Sequence, residues 1–213
     1  KEINNNTIAM LAGNPLIFDE LVSLKNKNIS YQEIKKEIFQ NFKRKRKEDI
    51  KNNILDMFGV DERFIITALE KPIENPFLGK ILEKISEFSL GTGILFIGYD
   101  GEEAQITEID EEGFNDYRLM NFHAIGSGDI QAVNALFFER HDKKQDLHST
   151  LYNVYKAKRN AEVLEGVGKE TDILILSKDT GCTKIDKEDL NILEDIYNRE
   201  LIFGKNDPKL AQI

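Results

Sequence analysis

The chain has 213 residues, 40% of them hydrophobic and 31% charged, and a formal net charge of −9. This is an ordinary soluble globular composition; the acidic balance argues against general nucleic-acid binding, and no apolar run is long enough to cross a bilayer. The opening KEINNNT is expected to carry no signal peptide, and the single Cys182 excludes an internal disulfide and a cysteine zinc cluster and fits a reducing cytoplasm.

TIAMLAG (7–13) reads as a buried strand running into a glycine. Asn14 caps and Pro15 opens a helix whose Ile17, Leu21 and Leu24 recur at helical spacing. A second helix is predicted over 30–58. Ser30 and Glu33 are spaced for a capping box, Ile34, Ile38 and Phe42 form an apolar stripe, Ile50, Ile54, Leu55 and Phe58 resume it, and Gly59 ends it. The run Lys43-Arg44-Lys45-Arg46-Lys47 sits at its middle, a basic block in an acidic protein. Residues 61–90 read as helical in parts, interrupted at Pro72 and Pro76.

Beyond residue 90 the pattern changes to strands. GTGILFIGYDG (91–101) is a continuous apolar run between glycines, ending in a tight Asp100-Gly101 turn. AQITEID (104–110) alternates, with Ala104 and Ile106 or their neighbours facing in; Glu112-Gly113 marks a turn, and MNFHAIG (120–126) is predicted as a third antiparallel strand. Helices are expected from Gly128 to about 139 and over 145–164, the latter striped by Leu147, Leu151, Val154, Ala157, Ala161 and Leu164. DILILS (172–177) and CTKI (182–185) read as paired strands around Asp179-Thr180-Gly181, and 187–201 as the last helix. Helices in pairs between antiparallel strands point to an α+β layered sandwich, and the lack of a linker or repeat points to one domain over 1–213.

HAIGSGDIQAVNALF (123–137) poses the functional question. Glycines at a strand-to-helix turn allow close backbone approach to a phosphate, a reacting carbonyl or a neighbouring sheet. A dinucleotide fingerprint is incomplete, because Gln131 stands where the last glycine belongs, and no Walker loop exists. His123, His141 and His148 have no ligand spacing, so neither a metal nor a cofactor is expected.

FHAIGSGDIQAVNAL, with the small Ala132 in its helix, resembles the strand-turn-helix of proteasome beta subunits and of the related bacterial two-component ATP-dependent protease. TIAMLAGNP resembles the family's strand ending in Ala-Gly. GILFIGYDGEEAQITEIDEEG resembles its central hairpin, down to Gly98-Tyr99-Asp100 and Gly113, and the helix over 145–164 and DILILS follow in the family's order. The likeness runs from Lys1 to about Leu201.

What the resemblance implies is an N-terminal nucleophile hydrolase, a four-layer αββα sandwich of two antiparallel sheets between helical layers. Such an enzyme cuts peptide or amide bonds with the side chain of its first mature residue, whose own amino group moves the proton. The resemblance places the oxyanion donor at Gly13, with the positive end of the next helix behind it, and Ser127 beside the nucleophile's amino group. Glu165 falls where the family has an Asp, and Gly168 where it has a Ser, so a hydroxyl of the usual network is missing. The nucleophile and its lysine belong to a strand hairpin that the resemblance places before Lys1. Family members form rings, so a cytoplasmic homo-oligomer acting on a peptide or protein substrate is expected, away from membranes and nucleic acid.

Simpler roles compete at each position. Gly13 would only end a strand, Ser127 would only cap the helix after it, Glu165 would be a surface carboxylate, the basic block a solvated helix face and Cys182 a small core residue. Two other functions remain open at this level: a non-catalytic structural or gating subunit of the same fold, and a module that binds an acidic ligand or RNA through 43–47.

Overall fold

The computed structural model describes residues 1–70 and 75–205. The fold is mixed α+β. Five antiparallel strands lie in the order β1 (Glu2–Asn4), β2 (Thr7–Ala12), β3 (Gly93–Asp100), β4 (Glu103–Ile109), β5 (Phe114–Asp116), and a two-stranded sheet joins β6 (Leu174–Ser177) to β7 (Gly181–Lys184). By contacts the chain divides into two compact units: Lys1–Ile8, Ile97–Ile106 and the chain from Asp116; and Ala9–Phe96 with Thr107–Asn115. No helix among the described residues is long and apolar enough to cross a membrane.

In the unit built on Ala9–Phe96, α2 (Tyr31–Ile50) is the central element. Its start is held by the predicted capping box: the Glu33 N–H donates to the Ser30 hydroxyl, and the Ser30 N–H donates to the Glu33 carboxylate at 2.9 Å. Ile34, Ile38 and Phe42 are each 0% exposed, so the i, i+4, i+8 stripe is the buried face. The helix continues through a π-helical turn (Lys51–Leu55) into α3 (Asp56–Phe58) and stops at Gly59, which takes the left-handed conformation at φ 66°. Helices α4 (Glu62–Leu69) and α5 (Pro76–Glu87) follow, capped by Asp61 and Asn75. Pro72 lies outside the described residues; Pro76 sits in the first turn of α5, where its missing N–H costs nothing. Ile54, Leu55 and Ile81 form the apolar cluster that these helices share.

The helix predicted after Asn14 is shorter than its spacing suggests. Asn14 does cap it, accepting the Leu16 N–H at 3.0 Å, but only a 3-10 turn (Pro15–Ile17) and α1 (Phe18–Leu21) form. The buried Asn41 amide explains the stop: it donates to the Leu21 carbonyl at 2.9 Å and the Ser23 carbonyl at 2.8 Å, drawing the chain out of the helix. In β4 the neighbours of Ala104 and Ile106 face inward: Gln105, Thr107 and Ile109 are the buried set. Thr107 is tolerated there because Tyr31, stacked on Phe96, hydrogen-bonds its hydroxyl at 2.8 Å. The turn that ends β4 is built by Asp110, whose carboxylate accepts the Glu112 and Gly113 N–H groups.

The strand predicted over 120–126 does not form. The third strand of the meander is β5, and the chain then turns, with the Met120 and Asn121 N–H groups both donating to the Tyr117 carbonyl and Asn121 at φ 65°. Phe122 leaves the sheet to join Ala135, Leu136 and Ala157 in a core cluster, and His123 stacks on Tyr117. The apolar run is thus a loop of which Phe122 alone is buried, a case that composition does not distinguish from a strand.

In the unit that holds the chain from Asp116, α6 (Asp129–Phe138) packs on α7 (Leu147–Ala161), which is capped by Asp146. The buried face of α7 is Asn153, Tyr155, Ala157 and Ala161, whereas Leu147 and Val154 are 52% and 41% exposed. Ala157 and Ala161 of the predicted stripe are thus buried, where their small side chains let α6 approach, but Asn153 and Tyr155 rather than Leu147 and Val154 complete that face. Cys182, in β7, is half-buried rather than a core residue.

Helix α8 (Lys187–Lys205) is tied to α7 by polar contacts. Glu200 accepts from Tyr152 and Lys156, Lys156 also meets Glu139 at 2.6 Å, and the Tyr197 hydroxyl donates to Asn160 at 3.2 Å. The bonds from Lys156 and Tyr152 hold the Glu200 carboxyl below its ordinary pKa. Burial alone would lower the Lys156 ammonium, but its bonds to Glu139 and Glu200 outweigh that and raise it. The Glu200 contribution is therefore present above the unfolded carboxylate value and is lost as pH falls through the lowered one. That of Lys156 is present below its unfolded value and is lost only as pH rises through the raised one. Protection factors of the α8 amides, that is, the intrinsic exchange rate at each pH divided by the observed rate, are expected to stay flat between about pH 6 and 9 and to fall below about pH 4. The effect should stay below about 1 kcal/mol, because Glu200 is nearly half exposed.

Candidate functional site

The Gly-Ser-Gly turn leads into α6, and what its glycines approach is the protein itself. Gly126 adopts φ 98° and its carbonyl accepts the Asp129 N–H at 3.1 Å, closing the turn. A Cβ on Gly128 would lie 2.7 Å from Ala161 Cβ and 2.9 Å from Val167 Cγ2, so only glycine lets the turn seat on the end of α7 and the loop after it. Ser127 is exposed and does not cap α6; the cap position is Gly128, with no side-chain bond. The Ser127 hydroxyl lies 3.4 Å from where a Cβ on Gly166 would project, and Gly166 has φ 91°. Ser127 is thus brought against the loop 162–168, which carries Glu165 beside that glycine and Gly168 two residues on. The Glu165 carboxylate is exposed.

That loop is pinned at both ends. At its start the Glu162 side chain, only 8% exposed, receives Lys158 one turn back and Arg159 at 2.8 Å. At its end the Lys158 ammonium donates to the Gly168 carbonyl at 2.7 Å. The Leu164 N–H donates to the Ala161 carbonyl and the Val167 N–H to the Leu164 carbonyl, so the loop is two consecutive turns. Sequence reasoning passed over Lys158 and Glu162. Their i, i+4 spacing was visible, but it is common on solvated helix faces, and the bond to Gly168 depends on how the chain turns after the helix.

Gly13 belongs to the other unit. It has φ 107°, and a Cβ there would lie 2.1 Å from the Gly91 carbonyl oxygen and 2.8 Å from Thr92 Cα. The next N–H, of Asn14, donates to the Thr92 hydroxyl at 3.1 Å. Close packing against residues 91–92 requires the glycine. With only four residues in α1 beyond the 3-10 turn, little helix dipole stands behind Gly13, contrary to the expectation from sequence.

The basic block is consumed largely by its own unit. Arg44 and Lys45 pair with Glu20, Lys45 also with Asp49 at 2.8 Å, Lys47 with Glu62 at 3.1 Å, and Lys43 lies over the Phe39 ring at 4.3 Å. Arg46 meets Glu111 at 3.2 Å and donates to the Ile85 and Phe88 carbonyls, joining α2 to the end of α5. Beside these residues runs a groove of about 660 Å³ lined by Ile50, Ile65, Ile66 and Phe88. Glu62, Glu87, Glu111 and Glu112 share its rim with Lys43, Arg46 and Lys47, so the groove offers no excess of positive charge for an acidic ligand or RNA.

No protein-family model matches the chain, and no curated protein matches it.

Proposed function

We propose that the chain is part of a proteasome-like N-terminal nucleophile hydrolase that cuts peptide or amide bonds. The observation that carries the reading is Ser127 lying beside Gly166, next to Glu165, within one compact unit. In this reading Ser127 holds the nucleophile's amino group and Glu165 supplies the acidic partner of the network, while an oxyanion role for the Gly13 N–H remains what the resemblance alone implies. The nucleophile itself is contributed by residues preceding Lys1. The four-layer αββα sandwich, the cytoplasmic setting and a homo-oligomeric ring belong to the same proposal. The ion pairing of the basic block favours hydrolysis over the RNA-binding alternative, because four of its five cations already meet carboxylates.

The test is the amino-terminal sequence and peptide-hydrolysing activity of the protein isolated from its native source. A mature chain starting with Thr, Ser or Cys upstream of Lys1, and active on fluorogenic peptides, is expected. Ser127→Ala in that protein should lower kcat by about ten- to a hundredfold with the melting temperature unchanged, since the hydroxyl is exposed and caps nothing. An active enzyme indifferent to Ser127→Ala would remove Ser127 from the site. A mature chain with no such first residue would leave the non-catalytic structural subunit as the better reading.

A further inference from the structure

We propose that Lys158 is the positioning residue of this site: it holds the loop 162–168 against Ser127 through the Gly168 carbonyl. The inference rests on the hydrolase reading for its catalytic consequence, and on geometry alone for the latch. Lys158 is the one side chain described as bonding both ends of the loop, Glu162 at its start and Gly168, at 2.7 Å, at its end. The Lys158 side chain is 26% exposed and that of Glu162 8%. Between those anchors the chain brings Gly166 beside Ser127, whose hydroxyl a Cβ on that glycine would meet at 3.4 Å, and seats Val167 against Gly128 so closely that a Cβ there would lie 2.9 Å from Val167 Cγ2. Gly168 stands where the resemblance expects a serine, so this position has no hydroxyl to hold the loop, whereas its carbonyl is taken by a cation from the preceding helix. A charged donor makes a shorter and stronger bond to a carbonyl than a neutral one does. Arg159 also pairs with Glu162, so removing Lys158 leaves Glu162 neutralised and frees chiefly the Gly168 end.

Lys158→Met keeps an unbranched apolar stem and removes the donor. Hydrogen exchange should then rise about tenfold or more at the amides of Leu164, Val167 and Asp129, which hold the loop and the Gly-Ser-Gly turn, and stay unchanged in α2. In the native-length enzyme, kcat for peptide hydrolysis should fall about tenfold with KM little altered. Lys158→Arg should restore both, because guanidinium reaches the same carbonyl. Unchanged exchange in Lys158→Met overturns the latch, whatever the activity. Raised exchange with unaltered kcat overturns the positioning role. If the wild-type protein hydrolyses no peptide, the hydrolase reading falls, and with it the catalytic consequence, while the exchange data still decide the latch. Global unfolding of Lys158→Met would be read against Lys158→Arg: failure of the arginine variant to restore local exchange also overturns the proposal.

Discussion

Gly13→Ala is expected to destabilise the protein by roughly 3 kcal/mol or more, enough to lower the folded yield at 37 °C. Two independent effects add. At φ 107° an L side chain is strained even in open space. Beyond that, the new methyl would lie 2.1 Å from the Gly91 carbonyl oxygen and 2.8 Å from Thr92 Cα, both backbone atoms that cannot swing aside as a side-chain tip does. Relief requires β2 to part from the start of β3, and the Asn14 to Thr92 bond lies in the same place. Gly59→Ala isolates the first effect: its φ is 66°, but no atom stands within 4 Å of the added Cβ, so a loss of only about 1 kcal/mol is expected. Urea denaturation of both variants checks the difference. Equal losses would mean that the chain at 91–92 moves away freely, and the tight approach would then not be what requires glycine at position 13. The comparison also bears on function. If Gly13 is needed for packing alone, its glycine says nothing about an oxyanion, and the case for that role rests on its backbone N–H.

Much of the local structure was legible because its causes are local. The Ser30–Glu33 box, the Asn14-Pro15 start, the helix stop at Gly59 and the turn at Glu112-Gly113 each depend on residues within about one turn of chain, and each formed as read. Elements whose fate depends on distant residues were read less well. The apolar run 120–126 had strand composition, but Phe122 finds Leu136 and Ala157 rather than a neighbouring strand. The helix after Pro15 had the right spacing and was cut short by Asn41, some twenty residues away. The first strand, Glu2–Asn4, was missed altogether: three residues are too few for a period, and its signal was the Asn4 side chain that turns the hairpin, accepting the Asn6 N–H and the Thr7 hydroxyl. The candidate site divides the same way. Ser127 stood out by its glycines, whereas the loop it meets is brought there by the packing of α6 on α7, and Lys158 acquires its role only through that loop. The basic block was legible as charge, but its carboxylate partners Glu20, Glu62 and Glu111 come from three separate segments.

Phe42→Ala should cost about 3–5 kcal/mol, and Lys43→Ala, one residue on, less than about 0.5 kcal/mol. The contrast follows from the helix period. Phe42 closes the i, i+4, i+8 stripe of Ile34 and Ile38, all 0% exposed, so its truncation leaves a cavity within a face that has no solvent to refill it. Lys43 is turned 100° away, is exposed, and contributes only its contact over Phe39. Urea melts monitored by far-UV circular dichroism give both values, with α2 as the main reporter. A small loss for Phe42→Ala would mean that α2 collapses onto the gap or that the unit is loosely packed, and the argument that α2 is its organising element would fail. A large loss for Lys43→Ala would point the other way, to a role for the basic block beyond the pairs that Arg44, Lys45, Arg46 and Lys47 make with their own unit. Because the two positions share one helix and one set of caps, differences in propensity cannot produce a gap of this size: phenylalanine and lysine differ by only a few tenths of a kcal/mol in a helix interior. The gap therefore measures which face of α2 the rest of the unit is built upon.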